Sequence, residues 1–193
     1  MLVIITGKTA SGKDTLISKI LEKYPNFKKV ITATSRAPRG SEIESKDYYF
    51  LTRGEFEQKI KNNEFIEHVE YGGNLYGTFK NELESNLNLD LIWKIDPSRS
   101  GQIREYIRTS FPPGVASQLI EKIKVIYITC DDQTILQRLK ERGVTPEEIE
   151  RRSQDDTNLW QQYKTNYDFV IENVPGNLQI AIDKVCEIIS SSK

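Results

Sequence analysis

Residues 2–15 are Leu-Val-Ile-Ile-Thr-Gly-Lys-Thr-Ala-Ser-Gly-Lys-Asp-Thr. Leu2 to Thr6 form an apolar run stopped by Gly7. Thr15 to Lys23 then place Leu16, Ile17, Ile20 and Leu21 at the spacing of one helix face. Strand, glycine loop and helix follow in that order. Within it, Gly7 to Lys13 (G-K-T-A-S-G-K) has the spacing G-x-x-x-x-G-K of a phosphate loop, in the strand-to-helix context that the motif requires. The backbone amides of such a loop, here Gly7, Ala10, Ser11 and Gly12, and the positive end of the helix wrap the β-phosphate of a nucleotide. Lys13 then reaches the β- and γ-oxygens. The usual next residue is Ser or Thr, but here Asp14 intervenes before Thr15. A carboxylate at that place repels nucleotide yet attracts the magnesium that accompanies ATP. Asp14 is therefore expected to hold Mg2+ through water while Thr15 contacts a phosphate oxygen. The competing reading has Asp14 point away and merely favour the helix N-terminus.

Outward from the loop, buried-strand runs recur at Leu89 to Ile95, Lys124 to Thr129 and Asp168 to Ile171, each followed by a segment that can be helical. This alternation predicts an α/β fold, three layers α/β/α around a parallel central sheet. Between residues 34 and 78 the pattern changes to short strands, Tyr48 to Leu51 and Phe65 to Tyr71, with a turn at Gly72, Gly73 and Asn74. Thr52 with Glu55 makes a capping box for a helix through about Lys61, and Thr145, Pro146 and Glu148 start another with a capping-box acid. Ser190 to Lys193 is a short tail expected to fray.

The chain has 193 residues and a formal net charge of -1, from 27 Lys and Arg against 28 Asp and Glu. Its length favours one core, and no global positive field points to a nucleic-acid polymer. Cys130 and Cys186 lie far apart without metal spacing, which suits a reduced intracellular protein. No apolar run approaches the roughly 18 residues of a membrane span, and the N-terminal run is too short for a signal peptide. The expectation is a cytoplasmic protein without membrane partners.

The substrate must be read from the insertion. Thr32, Thr34 to Arg39 (T-S-R-A-P-R), Lys46-Asp47-Tyr48, Glu64 to Glu67 (E-F-I-E) and Tyr76-Gly77-Thr78 resemble the guanylate kinase family in order and spacing. Leu139 to Arg152 and Tyr167 to Asn173 extend the resemblance over nearly the whole chain. It implies transfer of the γ-phosphoryl of ATP to GMP, and to dGMP, in purine nucleotide metabolism. It also implies a phosphate-loop core over 1–33 and 79–193, a lid at about 138–152 and a GMP-binding insertion over 34–78.

Arg36 and Arg39, three residues apart, can offer forked donors to a phosphate dianion, with the Tyr48 and Tyr76 hydroxyls adding neutral hydrogen bonds. The resemblance makes these four the GMP-phosphate ligands. A carboxylate can accept the adjacent N1–H and N2–H of guanine together, and the resemblance puts Glu67 there, with Thr32 near O6 and Thr78 completing the base pocket. His68, the only histidine, alternates to the opposite strand face and receives no role. Arg138 and Arg142 are four apart and so on one helix face, and Arg151 or Arg152 follows in the next helix. They are similar to the family's lid arginines, Arg152 being the residue assigned and Arg151 the one that neighbouring acids can balance. Catalysis is expected from Lys13, Arg36, Arg138, Arg142 and Arg152, whose positive charge would stabilise the transferring phosphoryl. By resemblance, Asn173 lies near the adenine of ATP.

The chain also departs from the family. Lys94 stands where an acid usually precedes Asp96 by two, which reverses charge on the GMP side, where both are placed. Pro97-Ser98-Arg99 lacks the usual glutamine and glycine, and Val174-Pro175 replaces acids after Asn173. Two alternatives therefore stay open, a kinase of another nucleoside monophosphate and a guanylate-kinase-like module that binds phosphorylated peptides. Lys13 and the intact glycine spacing argue against the module. Oligomeric state is open.

Overall fold

The computed structural model describes residues 1–191; of the tail expected to fray, Ser192 and Lys193 lie outside the described residues. Ser190 instead ends the last helix and Ser191 caps it. In chain order the elements are β1 (Leu2–Gly7), α1 (Lys13–Lys23), β2 (Phe27–Lys29), β3 (Thr32–Thr34), β4 (Tyr48–Phe50), α2 (Arg53–Lys61), β5 (Phe65–Tyr71), β6 (Asn74–Phe79) and α3 (Lys80–Glu84). There follow β7 (Asp90–Lys94), α4 (Pro97–Ser100), α5 (Ile103–Ser110), α6 (Pro113–Lys122), β8 (Ile123–Thr129), α7 (Asp132–Glu141), α8 (Pro146–Tyr163), β9 (Phe169–Glu172) and α9 (Leu178–Ser190).

The expected parallel sheet is present, with strand order β2-β7-β1-β8-β9 and every neighbouring pair parallel. Every residue of β1 is buried because both sheet faces are covered. Leu2 and Ile4 face a cluster with Ile103, Ile107 and Leu119 of α5 and α6, while Val3 and Ile5 face Leu16, Ile20 and Val185 of α1 and α9. Alternate residues of one strand thus feed two cores, which makes three layers. Each fully buried Leu or Ile contributes about 1.5–3 kcal/mol. Since the strands run parallel, Gly7, Lys94, Thr129 and Glu172 all end on one edge of the sheet, where α/β folds hold their ligands.

A second sheet, order β4-β3-β6-β5, carries the insertion, with β3 and β6 reaching to Thr32 and Phe79. Its own small core is aromatic: Phe65 stacks between Phe56 of α2 and Phe79, at 4.5 and 4.6 Å between centroids. The Thr52–Glu55 capping box closes in both directions. At α8 the box closes only halfway. Thr145 accepts the Glu148 N–H, but the Glu148 carboxylate turns to Arg151 and Arg152, since two guanidiniums attract it more than one N–H. Among the described residues no helix is long and apolar enough to cross a membrane.

Candidate active site

The loop after β1 has the shape that its glycines demand. A side chain on Gly7 would meet the Ile128 carbonyl oxygen at 2.0 Å, so only glycine lets the chain turn against β8. Gly12 adopts φ 89° as N-cap of α1, a conformation that side chains resist. Two polar side chains hold the loop from outside: Arg138 donates to the Ala10 carbonyl at 2.9 Å, and buried Asn173 to the Ser11 carbonyl at 2.7 Å. The Lys13 ammonium folds over the loop, 2.9 Å from the Gly7 carbonyl. Burial, then the neighbouring charge of Lys94, lowers its pKa to about 8. An anion that brings negative charge here relieves both penalties.

Between this loop, the second sheet and α8 lies a cavity of about 460 Å³. Lys13, Thr32, Tyr48, Glu67, Tyr76, Lys94, Asp96 and Arg152, separated widely in sequence, all line it. Glu67 is buried on β5 beside β6, and its carboxylate accepts the Thr78 hydroxyl at 2.7 Å. That hydroxyl is oriented in turn by the Trp93 indole N–H at 3.0 Å. Desolvation dominates and pushes the Glu67 carboxyl up to about 7. The group is held ready but lacks a strong donor partner.

The residues expected to bind the GMP phosphate are partly engaged with the protein itself. Arg36 makes a two-pronged pair with Glu42, both bonds at 2.7 Å, and lies over the Tyr48 ring at 5.1 Å. Tyr76 is the next ring, 6.4 Å from Tyr48. Arg39 offers Glu42 only its backbone N–H, and its guanidinium makes no ion pair among the described residues. Glu42 was not legible as a partner from sequence. Lys94 reaches Asp14 at 2.5 Å and the Tyr48 hydroxyl at 3.3 Å. The two residues that depart from the usual pattern therefore pair with each other. Burial lowers the Lys94 pKa, but Asp14 and Tyr48 outweigh it and the ammonium is held above its ordinary range.

A family profile described as Guanylate kinase matches residues 1–192. Among curated relatives, the guanylate kinase of Fusobacterium nucleatum is 32% identical over 89% of this chain and 87% of its own. That of Desulfitobacterium hafniense is 29% identical over 100% and 90%. The crystal structure of guanylate kinase from Anaplasma phagocytophilum superposes with a TM-score of 0.68 at 26% identity, covering 100% of this chain and 85% of that one. The chain belongs to the guanylate kinase family.

As a guanylate kinase family member it is a nucleoside monophosphate kinase by descent, and nothing in these likenesses favours a peptide-binding module or another acceptor. The arginines expected to act as one lid divide into three settings. Arg138 is fastened to the phosphate loop, whereas Arg142, one turn on with its N–H bonded to the Arg138 carbonyl, caps α7 and is exposed. Arg152 lines the cavity, bonded to Glu148 and stacked on Tyr71 at 5.5 Å. Arg151 is balanced by Glu148 and Asp155. Asn173 spends its amide donor on the loop, and Asp96 caps α4 by accepting from Ser98. Thr15 is exposed and does not line the cavity. His68 is exposed on the far side of β5 from Glu67. Missing from the sequence-based site were Glu42, Tyr71 and Asp156, all of which act through partners distant in sequence or hidden among surface acids.

Proposed function

We propose that the protein transfers the γ-phosphoryl of ATP to GMP, with dGMP as a second acceptor, giving ADP and GDP or dGDP. The observation that carries this is a buried, donor-poor carboxylate, Glu67, in the same cavity as the phosphate-loop lysine. Guanine brings two adjacent N–H donors to that carboxylate and the monophosphate reaches toward Tyr48, Tyr76, Arg36 and Arg39. Arg36 exchanges Glu42 for phosphate, or shares it. An oxygen of the GMP phosphate then bonds to the γ-phosphorus while the bond from the γ-phosphorus to the β-bridging oxygen breaks, and ADP leaves with that electron pair. Lys13 and Arg138 stabilise charge on the ATP side, and Arg152 and Arg142 close over the transferring group. Closure keeps water from accepting the phosphoryl.

Magnesium fits this site as a companion of the nucleotide. Among the described residues there is no group of three or more His, Cys, Asp or Glu that could hold a metal unaided. Magnesium needs only one or two carboxylates when phosphates supply the rest. Asp14, exposed at the loop, would hold it, and the ion would neutralise charge on the β- and γ-phosphates. Two free, buried thiols, Cys130 and Cys186, support a cytoplasmic location.

The experiment is an acceptor panel. ATP with magnesium and each common nucleoside monophosphate should yield equimolar ADP and diphosphate only with GMP and dGMP. ATP consumption with phosphate release and no diphosphate would reduce the protein to an ATPase and refute the reading.

A further inference from the structure

Helix α8 carries a carboxylate that none of these steps uses. Asp156 Oδ2 accepts the backbone N–H of Thr9 at 2.8 Å. Thr9 is the third residue of the phosphate loop, so this N–H belongs to the set that such a loop turns toward an anion. Asp156, Thr9 and Lys13 all line the cavity, so the protein's own anion sits where nucleotide phosphates must approach. We propose that Asp156 is an internal competitor of the triphosphate, which occupies the phosphate loop before ATP arrives and has to release Thr9 as ATP binds. The proposal rests on the loop being the ATP site.

The surroundings fix the direction of the effect. From the loop, Lys13 and Lys8 attract the carboxylate; from the turn after β7, Asp96 repels it; Tyr71 of β5, Tyr127 of β8 and Tyr167 also lie near. On α8 itself, Arg152 is committed to Glu148 and Asp155 to Arg151. Burial outweighs the favourable contacts and pushes the Asp156 carboxyl up to about 6. Above that pH the group is charged and repels phosphate, while below it the group is neutral. Incoming phosphates raise its proton affinity further, so ATP binding near neutrality takes up a proton. Because Arg152 shares the helix one turn earlier, release of Thr9 also frees α8 to re-seat over the nucleotide.

Calorimetric titration of metal-free ATP into the wild-type protein and Asp156→Asn, from about pH 5.5 to about pH 8 in two buffers of different ionisation heat, reads both affinity and proton uptake. ATP's own protonation occurs with both proteins and cancels in the comparison. The variant should bind about tenfold more tightly at about pH 8. That advantage should vanish at about pH 5.5, and the additional proton uptake should appear only in the wild type. Asp156→Ser, too short to reach Thr9, should match the Asn variant. Weaker binding than wild type at the higher pH in both variants would mean that the carboxylate supports the loop, and would overturn the proposal. Equal affinity and equal proton uptake in all three proteins would overturn it while leaving ATP binding intact. A wild-type protein that binds no ATP at any pH would remove the assignment of the loop and the proposal together.

Discussion

Asp14 and Lys94 were each singled out by sequence for a charge in an unusual place, yet neither reading foresaw the other as partner. A separation of 80 residues leaves no local signal, and only the parallel pairing of β1 with β7 brings the start of α1 beside the end of β7. The Asp14 side chain is 82% exposed, so the ion pair contributes at most about 1 kcal/mol to folding. Its consequence lies with the nucleotide. Lys94 masks the carboxylate that would otherwise repel metal-free ATP, and Asp14 restrains an ammonium that could bind phosphate. Asp14→Asn should therefore tighten metal-free ATP and flatten its magnesium dependence. Lys94→Met should weaken metal-free ATP about fivefold and steepen that dependence. The double variant should deviate from the product of the two effects, as residues in direct contact do. If each single variant changes affinity by one factor with and without magnesium, the pair has no bearing on the metal.

At the scale of elements, most strands and helix starts were legible because their physics is local. Thr52 with Glu55, and Thr145 with Glu148, announce helices through bonds that close within one turn. β2 was missed: it has three residues, two of them lysines, and its place at the sheet edge comes wholly from pairing with β7. Arg138 and Arg142 lie one turn apart as their spacing implies, yet their surroundings differ. α7 stops at Glu141 and Gly143 turns into the left-handed region, which leaves Arg142 exposed at the helix end while Arg138 lies against the loop. The two arginines should thus behave differently when replaced. Arg138→Ala, which loses the bond to the Ala10 carbonyl, should raise KM for ATP as well as lower kcat. Arg142→Ala should lower kcat by about 10²-fold or more with little change in either KM, since the proposed contact would form only on closure. Steady-state kinetics on both variants check this; equal rises in KM at unchanged kcat would place both in ground-state binding instead.

In the whole molecule, function depends on two sheets with separate cores facing one cavity. The parallel sheet presents the phosphate loop at its strand ends, and the aromatic core of the insertion holds β5 and β6 so that Glu67 faces the same space, with Thr78 fully buried and bonded to it outside the cavity lining. Sequence could name Glu67 through a resemblance but could not tell that it is 4% exposed, because strand alternation assigns faces without saying which face is covered. On the proposed function, burial is what makes it selective. Ionised and short of donors, it would accept two N–H groups from guanine but would meet a ring-nitrogen lone pair in adenine. It also makes selectivity depend on pH: with its carboxyl near 7, the group is neutral below that pH and loses its second acceptor, so the KM for GMP should rise as pH falls from about 8 to about 6. The most direct measurement is the ratio of kcat/KM for GMP over AMP at about pH 8, in the wild-type protein and in Glu67→Gln. A ratio of about 10⁴ that falls by about 10² in the variant, with ATP affinity unchanged, is the predicted result. A wild-type ratio near unity, or a ratio that Glu67→Gln leaves untouched, would contradict the account.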